Sequence, residues 1–170
     1  LLNNLLVLTE KEFTEIYQRN VDTVYRLCYM YLKISADAED AVQSIFMKLL
    51  RSNKRFENFE HEKAWLISTS KNYCKDVLKS WWKSRRISVD DIPEITCWDN
   101  NQLASEVLEK LFSLPAKYKE VLYLYYYEEY SVKNISKLLG RNESTIQTQL
   151  STGSKRLKIS IGGQYNEEPY

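Results

Sequence analysis

Glycine and proline are scarce in this sequence. The 170-residue chain has only four Gly and three Pro, too few for the many tight turns of an all-β fold, so long helices are expected. Histidine occurs once, at His61, so a His-based metal site or triad is not expected. The three cysteines, Cys28, Cys74 and Cys97, match no zinc or redox spacing and are odd in number. They read as structural or incidental thiols of a reducing compartment. The opening LLNNLLVL is apolar but short and has no basic flank. Neither a signal peptide nor membrane insertion is expected, and a cytoplasmic location is. The first residue is Leu1 rather than Met, so a few preceding residues are expected. No Gly-rich phosphate loop, paired-acid motif or nucleophile motif occurs. The chain therefore reads as non-enzymatic, with no cofactor.

Charge of one sign is also missing on average. The formal net charge is +1, which by itself argues against a nucleic-acid partner. The distribution reverses that reading. Between residues 71 and 86 six basic residues stand against one acid, Asp76, and between 133 and 158 six stand against Glu143 alone. From residue 87 to 110, Asp90, Asp91, Glu94, Asp99, Glu106 and Glu109 face only Lys110. Hydrophobic residues at 44% with 28% charged make the chain globular, and its length suits one domain or two small ones.

The periodicity predicts an all-α chain of two small helical domains joined by an acidic linker. Thr9 to Glu12 has capping-box spacing. Phe13, Ile16, Tyr17, Val21, Val24, Cys28, Tyr31 and Leu32 then fall on one helical face, ending near Lys33. Ser35 is the expected cap of a second helix, whose inner side is Ala38, Ala41, Val42, Ile45, Phe46, Leu49 and Leu50. Residues 51–60 read as a loop, and a third helix over 61–83 is expected to turn Ala64, Trp65, Ser68, Cys74, Leu78 and Trp81 inward. The first domain spans 9–86, the linker 87–101, the second domain 102–160 and a frayed tail 161–170. In the second domain Pro115 opens one helix, Ser131 caps the next, Gly140 ends it and Asn142 caps the last.

Three surfaces carry chemistry. Residues 131–158 read as helix, Gly-containing turn, helix, the helix-turn-helix arrangement of DNA-binding proteins. Its last helix offers Ser144, Thr145, Gln147, Thr148, Gln149, Ser151 and Thr152 for bases and phosphates, with Arg141, Lys155 and Arg156 as charge. The middle of that helix is poor in cations, with Gln147, Gln149, Thr152 and Ser154 there, so few phosphate contacts are expected from it. Lys71, Lys75, Lys79 and Lys83 form a basic stripe on the third helix, with Tyr73, Trp81 and Trp82 as flat faces for bases. The preceding loop adds Asn53, Lys54, Arg55, Phe56, Asn58 and Phe59, a set suited to unstacked bases. The outer face of the second helix, with Asp37, Asp40, Gln43, Ser44 and Met47, would repel DNA and suits a protein partner. A free-standing transcriptional regulator that binds duplex DNA fits these features as well.

A resemblance narrows the choice. The run Asp37-Ala-Glu-Asp-Ala-Val-Gln-Ser-Ile-Phe-Met-Lys-Leu-Leu50 resembles the core-polymerase-binding helix of bacterial sigma factors. Ala64-Trp65-Leu66, Lys71-Asn72 and Arg85-Arg86 are similar to their promoter-melting region. Leu114-Pro115-Ala116, Leu138-Leu139-Gly140 and Thr145-Ile146 are similar to their C-terminal promoter-reading domain. Small size and the missing middle domain resemble the extracytoplasmic-function group. The resemblance implies that Asp37, Asp40, Gln43 and Phe46 dock on the clamp helices of core RNA polymerase. It implies that Asn53, Lys54, Arg55, Asn58, Asn72, Lys75 and Lys79 hold the melted minus-ten element, that the last helix reads the minus-thirty-five element, and that the acidic linker threads the RNA path. Core RNA polymerase, promoter DNA and an anti-sigma factor are the implied partners.

Overall fold

The computed structural model describes residues 8–84 and 102–162, with side chains for 8–84 and 106–159. The described residues form seven helices and no strand, so the all-α expectation holds. They are α1 (Glu10–Leu32), α2 (Ser35–Ser52), α3 (Phe59–Ser84), α4 (Gln102–Phe112), α5 (Ala116–Tyr126), α6 (Val132–Leu139) and α7 (Glu143–Gly162). The chain divides into two compact units, one within residues 1–94 and the other within 95–170. The expected linker, 87–101, and all of the expected tail beyond Gly162 lie outside the described residues.

In the first unit α1 packs on α2 and α3, which also meet each other. The expected capping box starts α1: Thr9 Oγ1 accepts from the Glu12 N–H at 3.2 Å, and Glu12 Oε2 accepts from the Thr9 N–H at 2.8 Å. Lys33, in the left-handed region at φ 60°, stops the helix. Ser35 does not cap α2. Ile34 holds the cap position, and the Ser35 hydroxyl lies 3.1 Å from the Tyr25 hydroxyl instead. α2 buries the expected Ala38, Ala41, Val42, Ile45, Phe46 and Leu49.

The third helix departs from expectation in length and in face. α2 runs to Ser52 and α3 begins at Phe59, so the loop is only 53–58. Asn58 Oδ1 accepts from the His61 N–H at 2.8 Å and caps α3. Of the expected inner residues only Cys74 is fully buried; Leu66, Ile67, Thr69, Ser70 and Glu62 form the rest of the buried side. Cys74 meets Cys28 of α1, and both are buried free thiols. Their mutual hydrogen bond and their burial hold the Cys74 thiol far above its ordinary range, which leaves it inert as a nucleophile. Cys97 lies outside the described residues.

Glu62 is 4% exposed and ties α3 to α1. It accepts from Asn20 Nδ2 at 2.6 Å and from Arg19 Nε and Nη2 at 3.2 and 3.0 Å. Arg19 also lies 4.3 Å over the Phe59 ring. Its side chain is 36% exposed, so solvent screens part of the pairing. Glu62→Ala is therefore expected to cost about 2 kcal/mol, within the range for hydrogen bonds to charged groups. Thermal unfolding of the full chain checks this: the transition of the first unit should fall while that of the second stays.

In the second unit α7 packs on α4, α5 and α6. The core is Leu111, Phe112, Tyr118, Val121, Leu122, Tyr123, Leu124, Ile135 and Ile146. Tyr125 is 40% exposed, whereas Tyr123 is fully buried and its hydroxyl donates to Glu128 at 2.9 Å. Ser131 caps α6 as expected, accepting from the Asn134 N–H at 3.2 Å. Gly140 ends it at φ 65°, a conformation glycine adopts without steric cost. α7 runs on to Gly162, past the expected end of the second domain at residue 160.

Candidate nucleic-acid interface

The second unit presents α6, a three-residue turn and α7. On α7, Ser144, Thr145, Gln147, Thr148, Ser151, Lys155 and Arg156 are exposed, while Gln149 and Thr152 are half-buried. Ile146 anchors the opposite side with no exposure. The hydroxyl and amide face is thus held outward on a helix of 20 residues. Arg141, expected as a DNA contact, is engaged in the fold. Its Nη2 pairs with Glu120, a carboxylate 1% exposed on α5, and its Nη1 donates to Gln149 Oε1 at 3.1 Å. Its side chain is 23% exposed, so its first role is internal.

In the first unit the loop 53–58 is folded onto the start of α3 rather than open. Asn53 is the left-handed stop of α2, at φ 48°. Lys54 Nζ lies 5.5 Å from the centre of the Trp65 ring, and Phe56 packs against Trp65 and His61 at 5.8 and 5.7 Å. Arg55 Nη1 reaches Glu12 Oε1 at 3.3 Å, an exposed pair of little energetic weight. Farther along α3, Asn72 and Lys79 are exposed and Lys75 is half-buried. Trp82 is 78% exposed, and Trp81 is half-buried. Tyr73, expected as a stacking face, points at α2, where its hydroxyl donates to Ser44 Oγ at 3.1 Å.

On the outer side of α2, Asp40 and Gln43 are exposed and Asp37 is half-buried. Partial burial raises the Asp37 carboxyl above its ordinary range, and the Asp40 charge adds to the shift. Phe46 does not belong to this surface. It is 3% exposed and packs edge-on against Phe13 at 6.2 Å and against Tyr17 at 4.8 Å. The apolar side chain that does reach solvent here is Met47, 44% exposed. Among the described residues no group of acids, Cys and His is arranged to hold a metal ion.

Two family models match the chain: Sigma-70 region 2 over residues 16–84 and Sigma-70 region 4 over residues 105–157. The ECF RNA polymerase sigma factor SigM of Bacillus subtilis is 30% identical over 165 residues, covering 91% of this chain and 98% of its own. The chain belongs to the extracytoplasmic-function sigma factors. The B. subtilis sigma factor SigV is 28% identical over 138 residues, 81% of this chain and 83% of that one. The sigma factor RpoE of Bartonella quintana, solved with the anti-sigma factor NepR, shares the fold at a TM-score of 0.72 and 17% identity, covering 91% of this chain and 99% of that one. This sigma factor thus serves RNA polymerase in promoter recognition, and sigma factors are generally non-enzymatic. Among the described residues no helix is long and apolar enough to cross a membrane.

Sequence reasoning missed the capping role of Asn58, the Asn20–Glu62–Arg19 cluster and the Arg141–Glu120 pair. Only Asn58 left a local signal: Asn three residues before His61 at a helix start fits a cap.

Proposed function

We propose that the sigma factor divides its work among three surfaces. The outer side of α2, with Asp37, Asp40 and Gln43 around Met47, docks on the clamp helices of core RNA polymerase. Asn53, Lys54 and Arg55 in the loop, with Asn72, Lys75 and Lys79 on α3, hold the melted minus-ten strand. Asn58 acts there through the loop it fixes rather than by direct contact. Ser144, Thr145, Gln147, Thr148, Ser151 and Thr152 on α7 read the minus-thirty-five duplex, with Lys155 and Arg156 on its phosphates and Gln149 steadied by Arg141. Because the fold-related RpoE is bound to an anti-sigma factor, a partner of that class is part of this reading. The protein acts with polymerase in the cytoplasm.

The observation that carries the reading is the outer face of α2. Its apolar side is consumed by the core of its own unit, yet Asp40, Gln43 and Met47 remain exposed together. An acidic and amide face gains nothing from DNA, whereas a basic protein surface complements it. Retention of core polymerase by the immobilised full chain tests this. The unmutated chain should hold core enzyme, and Asp40→Lys should weaken retention at least about tenfold, with Gln43→Ala intermediate, since like charges across an interface cost several kcal/mol. No retention by the unmutated chain, with tight binding to duplex DNA instead, would favour a regulator acting without polymerase.

A further inference from the structure

The cation-poor middle of α7 leaves a physical question. A helix reading duplex DNA with Gln147, Gln149, Thr152 and Ser154 has few charges to neutralise phosphates. α5 supplies one. Between the start of α5 and the outer side of α7 lies an open recess of about 350 Å³. Lys117 and Tyr118 form its α5 side, and Ser144, Thr148, Gln149 and Thr152 contribute to its α7 side. No carboxylate lines it. Tyr118 is 7% exposed and fixes the wall, with the Lys117 ammonium 5.0 Å and the Arg156 guanidinium 4.8 Å from its ring centre. Cations held over an aromatic face are oriented without being neutralised.

We infer that this recess takes a backbone phosphodiester of the promoter duplex, with Lys117 as its counter-charge. The inference rests on the proposed reading of the minus-thirty-five duplex by α7. The Ser144 and Thr152 hydroxyls and the Gln149 amide can donate hydrogen bonds to phosphate oxygens, whereas the Thr148 hydroxyl donates to the Ser144 carbonyl at 3.0 Å, and the Lys117 ammonium adds a charge-assisted bond. The dipole of α7 favours an anion beside its early turns, where Ser144 and Thr148 sit. The contact fixes the register of α7 in the groove and leaves Gln147, on the exposed face, for base edges. The site is thus built from two helices, and the cation that lines it, Lys117, comes from outside the helix-turn-helix.

Holoenzyme reconstituted from core polymerase and the full chain, bound to a duplex that the holoenzyme itself selects, provides the test. Affinity is measured against salt for the native chain, Lys117→Gln and Gln147→Ala. Lys117 is exposed, so Lys117→Gln leaves the fold intact, and an unchanged melting temperature verifies this. Lys117→Gln should weaken binding roughly three- to tenfold on all sequences and reduce the salt slope by about one. Replacing single phosphates in the minus-thirty-five duplex by uncharged methylphosphonate should reveal one position that matters to the native chain and not to Lys117→Gln. Gln147→Ala should instead relax sequence preference and keep the slope. An unchanged slope and affinity for Lys117→Gln, with Gln147→Ala impaired, overturns the inference alone. No effect of either variant overturns the reading of α7 with it.

Discussion

Arg141→Ala is expected to destabilise the second unit by about 3 kcal/mol, although the position looks like a surface contact to DNA. Arg141 Nη2 pairs with Glu120, whose carboxylate is 1% exposed on α5. Removing the guanidinium takes a charge-assisted hydrogen bond and a counter-charge from a buried carboxylate, and that loss falls on the fold. Loss of the hydrogen bond from Nη1 to Gln149 Oε1 at 3.1 Å frees an amide on the reading side of α7 as well. Urea unfolding monitored in the second unit measures the effect. The double variant Arg141→Met with Glu120→Leu should recover most of the loss, because replacing both charges by apolar groups removes the penalty along with the pair. If Arg141→Ala kept full stability and lost only promoter affinity, the residue would be a DNA contact and not a structural cation.

Arg141 also shows where sequence reading reaches its limit. Its own neighbourhood, Gly140 before and Asn142 after, marks the turn of a helix-turn-helix, where a cation suits a phosphate. Its partner lies 21 residues upstream on another helix. Features closed within one helical turn were legible: the Thr9–Glu12 box, the Ser131 cap and the Gly140 stop all depend on residues within a few positions. The α2 core was legible because its buried set is purely apolar and periodic. The inner side of α3 was not, because Glu62, Thr69 and Ser70 are buried there beside Leu66 and Ile67, and a hydrophobic period cannot detect buried polar groups that tertiary partners satisfy. Phe46 was assigned correctly to the apolar side of α2, but the family resemblance also gave it a docking role, and its burial against Phe13 and Tyr17 removes it from the surface. For the candidate site, the polar side of α7 was legible from composition. The Lys117 wall was not, because it begins 25 residues before Asn142 and reaches α7 only through the fold.

At Gly153 helix propensity and packing oppose each other, and packing should win. From sequence alone a glycine within α7 costs about 1 kcal/mol relative to alanine, so Gly153→Ala reads as stabilising. A Cβ at that position would lie 3.0 Å from Leu122 Cδ1 and 3.2 Å from Tyr118 Cβ. The leucine methyl can shift, but the tyrosine Cβ is fixed to the backbone of α5, so the two helices must separate. Gly153→Ala is therefore expected to be destabilising by up to about 1 kcal/mol, its propensity gain more than offset by overpacking. Gly153→Val adds two methyl groups and a β-branched penalty, and should cost about 3 kcal/mol. Chemical unfolding of the two variants checks the order, and a Gly153→Ala chain more stable than the parent would refute the packing argument. Function should follow the same order. Tyr118 touches both the Gly153 contact and the wall that carries Lys117, so parting α5 from α7 also pulls Lys117 away from Thr148 and Thr152. Promoter affinity of the reconstituted holoenzyme should fall for Gly153→Val even at temperatures where the unit remains folded, because the two halves of the phosphate recess lie on the helices that the side chain forces apart.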